Sequence, residues 1–370
     1  METYVLNPQR DVIDVVDTYD SLIWVERYSR PGDFELYTPI TKRYLEILKE
    51  DNYLWISTVD ENRPMYIDKV EIITSPEDGD QLLVTGKSLE EILKWRVVWH
   101  FTHISTDRQN GIHQLITENI INPSDPYRRI EGFEVRMPSP ALTGNSGILD
   151  RQYLGEDLLE LMIELCEEAE WGWKVSWADT NGYIFQLYQG VDRSFNQNDR
   201  PWIVFSPEYD NLLNTNYIRN MSDFRNVSRV AGEGEGPERR LFQAGNTNAT
   251  GLNRRETFTD ASNISSVRKK ENPNDPDLPP WPTATYNEML KQQGLLHLGK
   301  TTITEAFDGS VESQLQFKYN QDYFMGDVVQ AENEYGISTS ARITELIQVQ
   351  NKDGEYTQIP TFTFRTDVIS

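Results

Sequence analysis

The strongest constraint on this chain is a series of short β-patterned segments, each closed by a turn, at both of its ends. Residues 21–28 (SLIWVERY) put Leu22, Trp24 and Tyr28 on one side of a pleat and Ile23 and Val25 on the other. Residues 29–33 (SRPGD) return the chain into 34–38 (FELYT); Pro31 pre-sets φ and Gly32 accepts positive φ. A short helix follows, with Thr41 as its cap and Tyr44, Leu45 and Leu48 facing inward. Residues 52–59, 65–74 and 81–86 supply three more strands, divided by DENRP and PEDGD. Near the other end, residues 310–319 (SVESQLQFKY) alternate Val311, Leu315, Phe317 and Tyr319 with Glu312, Gln314, Gln316 and Lys318. Residues 327–331, 341–349 and 356–363 continue that pattern, with turns at Tyr335-Gly336 and at 351–354. Short strands of period two, punctuated this often, pair as antiparallel meanders. The expected class is α+β, with two small antiparallel β-barrel domains and intervening helical and hairpin domains.

The middle of the chain changes character. Ser88, followed three residues later by Glu91, has the spacing of a capping box, with Leu89, Ile92 and Leu93 as the apolar stripe behind it. A second helix is predicted over 111–121 and a third, the most amphipathic, over 154–169. A hairpin comes next: Trp173, Val175 and Trp177 alternate, Asn181-Gly182 turns, and Tyr183, Phe185 and Leu187 alternate back. Residues 190–260 are rich in Asn, Arg and Gly and include short strands at 202–205 and 227–230. Residues 272–282 (NPNDPDLPPWP) hold five prolines and read as a stiff linker. A short helix over 285–293 then ends at Gly294. The expected division is a first barrel over 1–100, a helical and hairpin region over 101–270, a linker over 271–284 and a second barrel over 285–370.

Charge narrows the partners. With 59 acidic and 35 basic residues in 370, the formal net charge is −24, which repels a nucleic-acid backbone and suits a channel through which DNA passes without adhering. The one cysteine, Cys166, rules out an internal disulfide framework and a cysteine-based zinc cluster, and its place in an apolar helical stripe makes it a buried thiol. No basic-then-apolar leader and no run of about 20 apolar residues is present, so a soluble protein made in a cytoplasm, without a membrane anchor, is expected.

No catalytic constellation emerges. His100, His103 and His113 lack the spacing of a metalloprotease and carry no Glu between them, so no metal site is assigned, and His297 is expected to pack in the core. The glycines of residues 232–236 (GEGEG) alternate with Glu233 and Glu235, which would repel a phosphate, so a turn is the reading and no cofactor is expected. Carboxylates are plentiful, but none stand out as an acid–base pair. The alternating tryptophans Trp171, Trp173 and Trp177, with Trp202, are expected to pack rather than to bind sugar. Arg239, Arg240, Arg254 and Arg255 form the one local break in the acidic balance. They are the candidate subunit-docking residues, available to Glu256, Asp260 or a neighbouring copy.

Residues 21–39, 84–98 (VTGKSLEEILKWRVV), 190–212, 251–261 (GLNRRETFTDA) and 323–362, in that order, resemble the tail hub proteins of long, non-contractile-tailed bacteriophages. The resemblance implies a baseplate hub with two tail-tube-like barrels. Three copies would make a homotrimeric ring of pseudo-sixfold symmetry that meets a hexameric tail tube or distal tail protein. It further implies contacts with tip, fibre or receptor-binding proteins, DNA crossing the lumen without specific binding, and residence at the virion tail tip after assembly in the host cytoplasm. Hubs of this kind often carry a C-terminal peptidase, lysin or fibre extension, whereas this chain ends at Ser370 after its last strand, so any cell-wall cleavage is expected in a separate protein. The alternatives are a tail-associated cell-wall hydrolase or endopeptidase and a carbohydrate-binding module.

Overall fold

The computed structural model describes residues 1–75, 79–144, 148–179, 181–268, 278–310 and 317–365. Residues 271–277 of the linker expected at 271–284 and residues 311–316 of the strand expected at 310–319 lie outside these residues. The chain is a mixed α+β protein, mostly strands. It divides into two compact units, the first formed by residues 1–216 and 307–363, the second by residues 217–306. The boundary expected at residue 100 falls inside the first unit.

In the first unit, strands β1 (Thr3–Leu6), β2 (Val12–Val15), β3 (Ser21–Arg27), β4 (Asp33–Pro39), β5 (Tyr53–Ile56), β6 (Met65–Ser75) and β7 (Gly79–Ser88) surround helix α1 (Lys42–Ile47). Alternation decides which face each strand buries: Leu22 and Trp24 on β3, Phe34 and Leu36 on β4, and Leu82 and Val84 on β7 close one core with Tyr44 and Leu48. Thr41 caps α1, its hydroxyl accepting from the Tyr44 amide at 3.0 Å. Leu45, expected inside, is exposed, because a helix this short turns only the i, i+4 pair Tyr44 and Leu48 inward.

A helical layer follows. The expected capping box does not form: the Ser88 hydroxyl accepts from the Gly32 amide at 2.7 Å, and residues Leu89–Trp95 wind as a 3₁₀ helix. Strands β8 (Thr102–Asp107), β9 (Phe133–Arg136) and β10 (Ile148–Tyr153) alternate with helices α2 (Arg108–Ile116) and α3 (Leu158–Ala169). Asp107 and Asp157 cap these helices, so α3 starts four residues later than expected. Its buried side chains, Cys166 among them, share a core with Ile104, Ile112, Leu115, Trp171 and Trp173; each large apolar side chain so buried contributes about 1.5–3 kcal/mol. The predicted hairpin is β11 (Gly172–Trp177) and β12 (Tyr183–Tyr188), with Trp173 opposite Leu187 and Val175 opposite Phe185. Strand β9 joins it in parallel. A short β13 (Val204–Phe205) precedes β14 (Leu213–Asn220), through which the chain leaves the unit.

The second unit is a three-stranded sheet under a helix. Strands β15 (Val227–Ala231), β16 (Leu241–Gly245) and β17 (Glu256–Asp260) lie in the order β16-β15-β17, with β15 and β17 parallel. Helix α4 (Thr283–Lys300) covers them with Tyr286, Leu290 and Leu298 buried. It runs through Gly294, where an end was expected. A Cβ at Gly294 would stand 2.5 Å from Val230 Cγ2 and 2.6 Å from Ala244 Cβ, so glycine here sets close helix–sheet packing rather than a stop.

The chain returns through β18 (Thr304–Ser310) into β19 (Val328–Glu332), β20 (Ser338–Asn351) and β21 (Tyr356–Arg365). Residues Ser338 to Arg342 of β20 pair with β19, and Glu345 to Asn351 pair with β3. The strand-rich ends, expected to form separate barrels, are thus hydrogen-bonded into one sheet. Its order is β14-β18-β21-β20-β3-β4-β7-β6-β5-β1-β2, with β19 and β13 branching from β20.

Candidate functional site

The four arginines predicted as docking residues lie in the second unit, and the structure does not gather them. Arg239 and Arg240 end the loop from β15 to β16, whereas Arg254 and Arg255 precede β17. Because β17 runs parallel to β15, the two pairs sit at opposite ends of a sheet five residues long, about 13 Å apart at 3.3 Å per residue. Arg239 donates from Nε to the Gly232 carbonyl at 2.8 Å and pairs through Nη2 with Asp260. Arg240 lies over the Tyr286 ring, 5.4 Å from its centroid. Arg254 pairs with Glu256 at 2.6 Å, and Arg255 donates to the Met221 carbonyl at 3.2 Å. Each guanidinium is already held within its own unit. The adjoining residues 232–236 make a turn in which Glu233 accepts from the Ser266 amide and hydroxyl at 2.6 Å each. Those Ser266 bonds lower the Glu233 carboxyl below its ordinary range.

The segment that links these features to the rest of the sequence, 190–260, is divided between the units. Its first part is pinned in the first unit by Asp327, which is buried and accepts from the Val191 amide and from Arg193 Nε, each at 2.8 Å. A Cβ at Gly190 would lie 1.9 Å from the Gly326 carbonyl oxygen, so only glycine permits this approach.

The first unit holds a charged node that sequence reasoning missed. Glu26 projects from β3 into the interior, 4% exposed, and accepts from Arg63 Nη1 at 3.0 Å. Arg63 also faces Glu90 of the 3₁₀ helix at 3.5 Å, and Glu90 accepts from the Val175 amide of β11 at 3.1 Å. Gln348 of β20 closes the node, its Nε2 donating to Glu26 at 3.5 Å while its Oε1 accepts from Thr58 at 2.9 Å and Tyr356 at 2.5 Å. Burial pushes the Glu26 carboxyl up against the pull of Arg63; Lys174 nearby is pushed down, first by burial and then by Arg63. The signal was present in SLIWVERY, since the period that buries Leu22, Trp24 and Tyr28 also buries Glu26.

A narrow cleft lined by Glu26, Arg63, Ser88 and Glu90 opens beside the node. Within it Arg63 pairs with both carboxylates, at 3.0 Å from Glu26 and 3.5 Å from Glu90. His103 pairs across the β8–β10 ladder with Asp150 at 2.5 Å, and His297 is half-buried against the Thr257 hydroxyl at 3.1 Å. Among the described residues, no group of three or more His, Cys, Asp or Glu side chains is arranged to hold a metal. Trp171, Trp173 and Trp177 are buried, and only Trp202 of that set is open to solvent. Among the described residues, no helix is long and apolar enough to cross a membrane.

This arrangement of strands and helices is that of phage tail proteins. The 43 kDa tail protein of prophage MuSo2 from Shewanella oneidensis aligns with a TM-score of 0.62 at 10% identity, covering 100% of both chains. The tail protein of Neisseria meningitidis MC58 gives 0.58 at 9% identity over 99% of this chain and 96% of that one. Prophage tail protein gp18 of Listeria monocytogenes EGD-e gives 0.56 at 10% identity over 100% and 96%. At such identities the likeness is one of fold. No curated protein matches. The chain belongs to the siphovirus ReqiPepy6 Gp37-like protein family, whose model matches residues 2–362.

Proposed function

We propose that this chain is a structural, non-enzymatic component of the siphophage virion. In this reading it is the hub at the distal end of the tail tube, built as a ring of three copies. The observation that carries the proposal is the division of β20, which pairs along one stretch with β19 and along the next with β3. It sets two strand-rich halves side by side in one chain, the tail-tube-like barrels of this reading. Three such chains offer six positions to a hexameric tube. The sheet ends at β2 and β14, and β2 turns Val12, Ile13 and Val15 to solvent. Unlike sheet edges that meet head to tail make a heterologous contact, which closes into a ring when the rotation fits.

The remaining assignments follow from chemistry. A net charge of −24 favours a lumen that DNA crosses without sticking. The outer surface would bind the tail tube or distal tail protein on one side and tip, fibre or receptor-binding proteins on the other, with Arg239, Arg240, Arg254 and Arg255 contributing to subunit docking. Assembly takes place in the host cytoplasm. Light scattering on the purified protein should give a trimer mass that falls to a monomer in Ile13→Lys, which places a charge on the edge strand. A monomer at all concentrations contradicts the ring. The cell-wall hydrolase alternative has its own readout: clearing in a zymogram that disappears in Glu26→Gln or Glu90→Gln would establish catalysis instead.

A further inference from the structure

The first unit carries a second arginine grouping of different character, beside its 3₁₀ helix. Trp95, Trp99, Phe101, Tyr127 and Leu154 are respectively 57, 54, 53, 97 and 62% exposed. Arg96 Nε donates to the Arg128 carbonyl at 3.1 Å, Arg128 Nη2 donates to the Val97 carbonyl at 2.8 Å, and the Arg128 guanidinium lies over the Trp99 ring at 5.0 Å. The Gly155 amide donates to the Val98 carbonyl at 2.8 Å, which brings Leu154 alongside. Thr102 pairs with Tyr153 at the start of the β8–β10 ladder, which sets Phe101 next to Leu154.

Among the described residues neither Arg96 nor Arg128 has a carboxylate within ion-pair distance, in a chain with 59 acidic residues. Burial and the neighbouring Arg96 both weigh against the charge on Arg128, and the Asp125 carboxylate favours it. Two neighbouring guanidinium groups thus bond backbone carbonyls and, among the described residues, form no ion pair, beside exposed aromatic side chains that a soluble surface would ordinarily cover.

We propose that this surface is a docking site for an acidic segment of a partner polypeptide that also carries apolar side chains. Guanidinium groups bind carboxylates in fixed geometry, and exposed Trp and Tyr supply rigid contact area at low entropic cost. Three other occupants fit less well. A sugar ring could stack on the open face of Trp99, but it offers no carboxylate to Arg96 and Arg128. A nucleic acid would bring a charge at every phosphate against the −24 chain, whereas a short acidic segment brings only a few. A second globular copy needs roughly 20–30 residues on each side, whereas a patch of this width suits a short segment. The inference does not rest on the ring, since a monomer presents the same surface.

The test uses the full chain and a labelled synthetic 12-residue peptide alternating Glu with Leu and Phe, beside a control in which Lys replaces Glu. Fluorescence anisotropy should show binding of the acidic peptide only, weakening as salt rises, and at least tenfold weaker binding to Arg96→Glu/Arg128→Glu. Those arginines also hold backbone carbonyls, so Tyr127→Ser/Leu154→Ser, which changes two exposed side chains, provides the same test if the first variant does not fold. No binding of the acidic peptide, equal binding of both peptides, or binding unchanged in the variants overturns the proposal. So does loss of glycan binding, of single-stranded DNA binding or of self-association on Tyr127→Ser/Leu154→Ser, because each assigns the surface to another occupant.

Discussion

Arg63 in the first unit and Arg254 in the second each pair with glutamate, and the comparison separates a buried ion pair from one that water reaches. Arg63 lies between two carboxylates that are 5% and 4% exposed, so every charge in the group has given up most of its water. Arg254 meets Glu256 where that carboxylate is 64% exposed, and water screens most of their attraction. Removing Arg63 leaves two buried anions; removing Arg254 leaves one that water can solvate.

The largest expected effect follows directly. Arg63→Met should lower unfolding free energy by about 3–5 kcal/mol in a urea titration, because it strands Glu26 and Glu90. Adding Glu26→Gln and Glu90→Gln to that variant should recover much of the loss. A cost below about 1 kcal/mol for Arg63→Met would remove the distinction between the two arginines.

A change in the packing of the second unit ranks next. Gly294→Val should cost about 1–3 kcal/mol, read by thermal melting and by hydrogen exchange in α4, since the new side chain overpacks against Val230 and Ala244. Arg254→Ala should cost the isolated subunit about 1 kcal/mol or less. Reversing Arg254 and Arg255 should weaken assembly more than it unfolds the subunit; loss of folding with assembly intact would refute docking at that end of the sheet.

The pH dependence sharpens the contrast further. The Glu26 carboxyl is raised by burial in the folded state. Its contribution to stability is therefore full below its unfolded pKa and is lost as pH rises through its folded value. Stability of Glu26→Gln relative to the parent should rise over that window. Asp14, half-buried on β2 and bonded by Arg43 and then by the Val15 amide, is lowered to about 2. Its contribution runs the other way, present above its unfolded pKa and lost as pH falls toward about 2, and Arg43→Ala should return Asp14 to the ordinary carboxylate range in an NMR titration.

How much of this was legible in the sequence depends on how local the cause was. The Thr41 cap and the Asn181-Gly182 hairpin are set by neighbouring residues, and both appear where the pattern put them; the chain also reverses between β3 and β4 as expected, but Gly32 serves there through close approach to the Val25 carbonyl and not through a positive φ. Ser88 and Gly294 misled for a shared reason: their partners are distant in sequence, the Gly32 amide for one and Val230 with Ala244 for the other. Tertiary contact overrode the local signal in both cases. The pairing of β3 with β20 spans more than three hundred residues, and no period-two pattern names its partner strand. The family resemblance supplied the class of protein that local patterning could not. The charged node was legible in part, since Glu26 shares the buried period of Leu22 and Trp24, while Arg63 and Glu90 reach it only through the fold.

The most direct test of the hub assignment is electron microscopy of the purified chain. Class averages should show closed rings of three copies with a central hole and six similar lobes around it. A population of single subunits, or of open chains that never close, would contradict the assignment.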